Sequence, residues 1–88
     1  MKEDKIFISS QCVSEMLGKE LIILDINSGL YHSLNKIGSL IWKEIEKSNP
    51  SFSQLKQNLK KKYNNTEIEI DLEIFVKKLL KEKLIYLK

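Results

Sequence analysis

Short apolar runs separated by turn residues characterise the N-terminal part of the chain and predict β-strands. Residues 20–26 (ELIILDI) are rich in Leu and Ile and precede Asn27-Ser28-Gly29, which is typical of a buried strand that enters a hairpin turn. Leu30–Leu34 (LYHSL) is then the returning strand, and residues 6–9 are predicted to form a further short strand. Residues 11–18 fit either a loop or a single turn.

Apolar residues recur at intervals of three and four in the C-terminal part, which predicts helices. Asn35 is a suitable N-cap for a first helix over residues 36–47, and Asn49-Pro50 would end that helix. Ser51 followed by Gln54 is a capping-box pattern for a second helix.

The second helix is expected to end at Asn64-Asn65, and a third helix is predicted over residues 71–82. The apolar stripe of this third helix consists of Leu72, Phe75, Val76, Leu79 and Leu80. The apolar tail, residues 84–87, is expected to pack back as an extended segment. Strands followed by helices predict an α+β fold, with a three-stranded antiparallel β-meander followed by a three-helix bundle.

Length and composition predict one small domain over residues 1–88, in which residues 1–5 are expected to be flexible. No apolar run approaches the length of a membrane span, and the N-terminal residues lack the apolar stretch of a signal peptide. We therefore expect a cytoplasmic protein that does not contact a membrane. Cys12 is the only cysteine, which excludes an internal disulfide and a thiolate zinc site.

The net charge of +3 arises from lysine, because the chain contains no arginine. Two clusters of lysines fall in the predicted second helix and in and just after the predicted third helix: Lys56, Lys60, Lys61 and Lys62, and Lys77, Lys78, Lys81 and Lys83. The absence of arginine and of interleaved aromatic residues favours solvated helix faces over a nucleic-acid surface. A winged-helix DNA-binding regulator that uses these lysines remains an alternative.

His32 is the only histidine, and its neighbours do not form a catalytic set. Ser33 adjoins it, and adjacent residues on a strand point to opposite faces, so His32 cannot activate Ser33. The sequence has no GxSxG, HExxH, CxxC or Walker pattern. We therefore predict no catalytic residue, no metal ligand and no cofactor, and an enzyme that depends on His32 is a distant third alternative.

Two features indicate a binding surface for an extended peptide. The strand Leu30–Leu34 lies at the edge of the predicted meander and has no Pro or Lys that would block pairing with an incoming strand. A second stripe of the third helix, beside its core stripe, consists of Asp71, Ile74, Phe75, Lys78 and Glu82. If this stripe lies along the edge, the two form a groove whose strand side is Leu30, Tyr31, His32, Ser33 and Leu34. An ordinary amphipathic boundary on the helix, and an edge covered by a helix or by the tail, are the alternatives.

The segment ILDINSGLYHSLNKIGSLIW resembles the core signature of the PqqD family. That signature has an apolar strand with an acidic residue, a turn Gly, an aromatic residue, Leu-Asn, a Gly three residues on, and Ile-Trp. The corresponding positions are Leu24-Asp25, Gly29, Tyr31, Leu34-Asn35, Gly38 and Ile41-Trp42. The segment FVKKLLKEKLI is similar to the closing helix and final strand of the family, although Lys83 replaces a frequent Gly there. The resemblance covers about residues 6–88.

The resemblance implies a three-stranded sheet with a winged-helix-like bundle that acts as a RiPP recognition element. Such a module is non-catalytic, binds the leader of a ribosomally made precursor peptide on its third strand and third helix, and delivers it to a modifying enzyme. Stand-alone members of this size resemble the leader-binding half of split lasso-peptide systems, whose partner is a separate leader peptidase. Others serve radical SAM enzymes. We favour the lasso-type partner, and an open edge also permits a strand-paired homodimer.

Overall fold

The computed structural model describes residues 4–63 and 66–88 of the chain. The elements over these residues are, in order, β1 (Ile6–Ile8), β2 (Cys12–Leu17), β3 (Glu20–Asp25), β4 (Leu30–Leu34), α1 (Lys36–Ser48), α2 (Phe52–Lys62), α3 (Thr66–Lys81) and β5 (Ile85–Leu87). Strands followed by helices confirm the predicted α+β fold. The predicted flexibility of residues 1–3, and the helix end predicted at Asn64-Asn65, lie outside the described residues; α2 ends at Lys62.

The antiparallel sheet has the strand order β2-β3-β4, so the meander is formed by different strands from those predicted. Residues 11–18, which we expected to form a loop or a single turn, are mostly the strand β2, and β2 pairs with β3 from Cys12↔Asp25 to Leu17↔Glu20. Gly18 closes this hairpin with a φ of +65°, a conformation that glycine adopts without a steric penalty. The hydrogen bonds that make β2 a strand come from β3, and the local pattern of β2 does not contain that information.

The predicted first strand lies outside this sheet. β1 pairs with the C-terminal strand β5 in an antiparallel ribbon, with Ile6 opposite Leu87. Lys5, which we expected to be flexible, is held by reciprocal backbone hydrogen bonds with Lys88 of 3.0 and 2.9 Å. The tail therefore packs back in an extended form, as predicted, and it fixes the start of the chain.

Local capping signals define the helices α1 and α2. The Oδ1 atom of Asn35 accepts a hydrogen bond from the N–H of Gly38 at 2.7 Å, which confirms Asn35 as the N-cap of α1. The reciprocal bonds of the capping box between Ser51 and Gln54 are both present at the start of α2. The third helix begins at Thr66, five residues before the predicted start, because Ile68 extends its buried stripe by one turn.

The core lies between the sheet and the helices, with Trp42 at its centre and fully buried. Alternate residues of β3 face this core, since Leu21 and Ile23 are buried while Ile22 and Leu24 are only partly so. The helices contribute Ile41, Ile45, Leu55, Leu59, Leu72 and Val76. Over the described residues, no helix combines the length and the apolar character needed to cross a membrane.

Candidate peptide-binding groove

The strand β4 is an edge of the sheet. It pairs with β3 on one side, and no strand of the described residues pairs with its other side. β4 contains no Pro or Lys that would block pairing. The prediction that Leu30–Leu34 is an edge strand is therefore confirmed, and this edge offers unpaired backbone groups to an incoming strand.

Backbone geometry indicates which amides of β4 point outward. The N–H of Ile26 donates to the carbonyl oxygen of Gln11 at 2.8 Å, just beyond the first residue pair of the β2–β3 ladder. The pair Cys12–Asp25 is therefore of the non-hydrogen-bonded type. Asp25, the last residue of β3, directs its N–H and C=O groups toward β4. Because the two kinds of pair alternate along antiparallel strands, Tyr31 and Ser33 direct their N–H and C=O groups to the open edge.

A cavity of about 190 Å³, here called the strand cavity, lies between β4 and α3. Its walls include His32, Ser33 and Leu34 from the strand and Phe75, Lys78 and Glu82 from the helix. Three of the five residues in the predicted second stripe of α3 thus lie beside the edge strand. An extended peptide that paired with β4 would place alternate side chains over this cavity.

A second cavity of about 180 Å³, the helix cavity, lies beyond the C-terminal end of β4. Its walls include Ile37, Gly38 and Ile41 from α1 and Asp71, Ile74 and Phe75 from α3. Phe75 and Lys78 line both the helix cavity and the strand cavity. The two cavities are therefore neighbours along α3, on either side of the same two side chains.

A third cavity of about 310 Å³, the hairpin cavity, lies at the other end of β4 and is more polar. Its walls include Asp25, Ser28, Leu30, His32, Glu82 and Lys83. His32 and Glu82 also line the strand cavity, so the hairpin cavity and the strand cavity lie side by side along β4. The helix cavity continues this row beyond the end of β4.

Nine of the ten residues predicted from the sequence line this row: Leu30, His32, Ser33, Leu34, Asp71, Ile74, Phe75, Lys78 and Glu82. Tyr31 lines none of the three cavities; its side chain is on the opposite face of β4 and is 71% exposed. It reaches the edge through its backbone only. Sequence reasoning missed the wall that α1 contributes to the helix cavity, and it missed Asp25, Ser28 and Lys83 of the hairpin cavity. The one signal for the α1 wall was a costly Gly38 in the first turn of a helix.

The groove exposes large apolar side chains beside unpaired charges. Ile74 is 67% exposed and Leu30 is 59% exposed. Among the described residues, no ion pair involves Asp71, Lys78 or Glu82. The groove therefore combines exposed apolar surface with charges of both signs. The described part of the chain contains no cluster of His, Cys, Asp or Glu suited to a metal ion.

Several lysines of the alternative nucleic-acid surface have protein partners. Nζ of Lys62 lies 2.7 Å from Oε1 of the buried Glu44, and Nζ of Lys60 lies 3.9 Å from Oε1 of Glu69. The hydrogen bond to Glu44 raises the pKa of Lys62 above its ordinary value. Lysines that are already paired with carboxylates are less available to phosphates, so the structure adds no support for DNA binding.

Comparison with known proteins agrees with this geometry. Residues 20–85 match the family described as Coenzyme PQQ synthesis protein D (PqqD). The solved structure of TbiB1 in complex with the TbiA(beta) leader peptide is similar, with a TM-score of 0.74 and 25% sequence identity. The similarity covers 90% of this chain and 93% of TbiB1. No curated protein sequence matches the chain. Because the family match spans three quarters of the chain, this protein belongs to the PqqD family.

Proposed function

We propose that this protein is a non-catalytic RiPP recognition element that binds the leader of a precursor peptide and delivers it to a separate modifying enzyme. The observation that carries the proposal is the strand cavity, which lies between α3 and the open sheet edge of β4 and continues into the two neighbouring cavities. Membership of the PqqD family supports it. The similar structure of TbiB1 was solved in complex with a leader peptide, which supports the same activity here.

The leader adds a strand to β4 in this proposal. The outward N–H and C=O groups of Tyr31 and Ser33 supply backbone hydrogen bonds. Alternate leader side chains then enter the strand cavity against Phe75 and the neighbouring cavities, where Ile74 and Leu30 are exposed. Backbone bonds would supply affinity, and the cavities would supply selectivity for particular side chains.

The modifying enzyme in this proposal is a leader peptidase of a lasso-peptide pathway, and the protein acts in the cytoplasm. A peptide chaperone for a radical SAM enzyme is the alternative, and the family description, which concerns coenzyme PQQ synthesis, is compatible with it. Cleavage of the leader by the candidate peptidase, with and without this protein, distinguishes the two.

The first test is fluorescence anisotropy with a labelled synthetic leader from the neighbouring precursor gene, titrated with protein at low and moderate salt. A random-sequence duplex DNA is titrated in parallel. Saturable leader binding that changes little with salt supports the proposal. DNA binding that weakens by roughly one decade per decade of salt for each phosphate contacted, with no leader response, would replace it by the nucleic-acid alternative.

The edge-pairing step has its own matched variants. Ser33→Pro removes an outward N–H and should abolish leader binding, because proline is tolerated at an edge strand but cannot donate a hydrogen bond. Ser33→Ala keeps the N–H and loses only the side-chain bond to Oε2 of Glu20, which measures 2.9 Å. The Ser33→Ala variant should bind the leader with the same Kd as the unmodified protein. Normal leader binding by a folded Ser33→Pro variant would contradict strand addition at this edge.

The same edge can pair with β4 of a second copy. In that case the leader and the second copy compete for the backbone groups of Tyr31 and Ser33. Sedimentation velocity over a concentration series would then show a dimer that dissociates when leader is added.

A further inference from the structure

Gly38 lies at a helical position where glycine does not increase the stability of the helix. It lies in the first turn of α1, is buried, and a glycine inside a helix destabilises it relative to alanine. Of the chain's glycines, Gly18 and Gly29 have the positive φ values of turns. Gly38 is not among the positive-φ residues, so its conformational freedom does not explain its presence.

Contact with Phe75 does explain it. A Cβ atom at position 38 would lie 3.1 Å from Cε1 and 3.3 Å from Cζ of the Phe75 ring, and 3.3 Å from Oδ1 of Asn35. Carbon atoms in favourable contact are roughly 3.5–4.0 Å apart, so these distances are too short. The ring of Phe75 therefore occupies the space that a side chain at position 38 would need.

Only one of these neighbours is free to move. Oδ1 of Asn35 is held at 2.7 Å by the N–H of Gly38 itself in the helix cap. Phe75 is half-buried, and its other side faces the strand cavity and the helix cavity, both of which it lines. A methyl group at position 38 would therefore narrow the helix cavity directly and displace the Phe75 ring away from α1, into the groove.

We infer that Gly38 is a specificity-determining residue of the groove, which lets Phe75 rest against α1 and so leaves room for a large apolar side chain of the bound peptide. The inference rests on the proposed leader binding and adds a positioning residue to it. In the free protein the groove can receive the displaced ring, so folding is not impaired by a methyl group at position 38. In the complex the ring and the peptide side chain compete for the same space. Gly38 thus keeps space free in the groove, and the helix is less stable than it would be with alanine at this position.

The test compares Gly38→Ala, Phe75→Leu and the double variant, with the same labelled leader peptide. Gly38→Ala should raise the Kd at least about fivefold, the lower end of what overpacking a filled apolar site costs. Its Tm should stay unchanged or rise, by up to about 4–8 °C, because alanine favours the helix. In the Phe75→Leu background, Gly38→Ala should change the Kd less than about twofold, since the ring that it displaces is absent. Lys43→Ala, on an exposed position of α1, is the control for effects on the helix alone.

Each other outcome overturns the inference. An unchanged Kd for Gly38→Ala would show that the groove tolerates the methyl group. An equal loss of affinity in the Phe75→Leu background would show that Phe75 does not transmit the effect. A lower Tm for Gly38→Ala would show that Gly38 serves folding.

If the unmodified protein does not bind the leader, this result contradicts the proposed function and does not test the inference about Gly38. The crystal structure of unbound Gly38→Ala then decides the inference about Gly38. A Phe75 ring displaced from α1 into the groove would support it, and a ring in its present position would overturn it.

Discussion

Glu44 of α1 and Lys62 at the end of α2 form a hydrogen-bonded ion pair, with Nζ of Lys62 at 2.7 Å from Oε1 of Glu44. The Glu44 side chain is only 7% exposed, and its other carboxylate oxygen accepts a hydrogen bond of 3.2 Å from Asn58. A buried carboxylate needs such partners, because its charge would otherwise lack solvation. The pair therefore connects α1 to α2.

Lys62→Met should lower the free energy of unfolding at neutral pH, because it leaves Glu44 with Asn58 as its remaining partner. The bond to Glu44 raises the pKa of Lys62, so its stabilising effect is complete below the ordinary lysine pKa and is lost as the pH rises through the raised pKa. Urea unfolding at pH 7 and at increasing alkaline pH measures this effect. The difference in the free energy of unfolding between Lys62→Met and the unmodified protein should decrease at alkaline pH. Lys61→Met, on an exposed position of the same helix, is the control; equal midpoints for both variants at pH 7 would contradict the prediction.

Lys83→Gly should stabilise the protein by about 0.5–1 kcal/mol, because Lys83 has a φ of 61° in the turn between α3 and β5. The N–H of Lys83 donates to the carbonyl of Leu80 at 3.1 Å, and the N–H of Leu84 donates to that of Leu79 at 3.0 Å. This is the Schellman arrangement, which forms here although lysine replaces the glycine frequent in the family. Urea unfolding measures the change. Lys83→Ala keeps the Cβ atom and should show no such gain; equal stabilisation by both would show that backbone strain is not the cause.

Phe75→Ala should weaken leader binding about tenfold or more, because Phe75 lines two neighbouring cavities of the groove. Tyr31→Ala should weaken it by no more than about fivefold, since its side chain lies on the other face of β4 and meets only a cross-strand neighbour in the peptide. Anisotropy titration of both variants with the same leader measures the difference, and circular dichroism checks that both are folded. A larger loss of affinity for Tyr31→Ala than for Phe75→Ala would mean that the peptide binds to the outer face of the sheet.

Cys12 should react slowly with iodoacetamide in the folded protein. Burial raises the pKa of its thiol, and the nearby carboxylate of Asp25 raises it further, so little reactive thiolate is present at pH 7–8. The alkylation rate in urea, where Cys12 is exposed, provides the reference, and Cys12→Ser corrects for reaction elsewhere. A rate in the folded protein equal to that in urea would contradict the prediction.

The sequence determined the features that depend on near neighbours along the chain. Asn35 and the Ser51–Gln54 pair cap their helices through side chains that reach amides within the next turn. The hairpin from β3 to β4 follows from two apolar runs around Asn27-Ser28-Gly29. The edge position of Leu30–Leu34 and the second stripe of α3 were likewise predictable from periodicity, which is why nine of the ten predicted residues line the cavities beside β4 and α3.

The tertiary structure decided what depends on distant partners. β2 is largely exposed, and its strand conformation comes from hydrogen bonds with β3. β1 was expected in the sheet and instead pairs with β5 at the other end of the chain, through contacts that no local pattern records. The contact between Gly38 of α1 and Phe75 of α3 likewise depends on residues that are far apart in the sequence. Residues 37 positions apart shape one cavity wall only after the chain has folded, so the sequence indicated that Gly38 was costly but not which side chain required it.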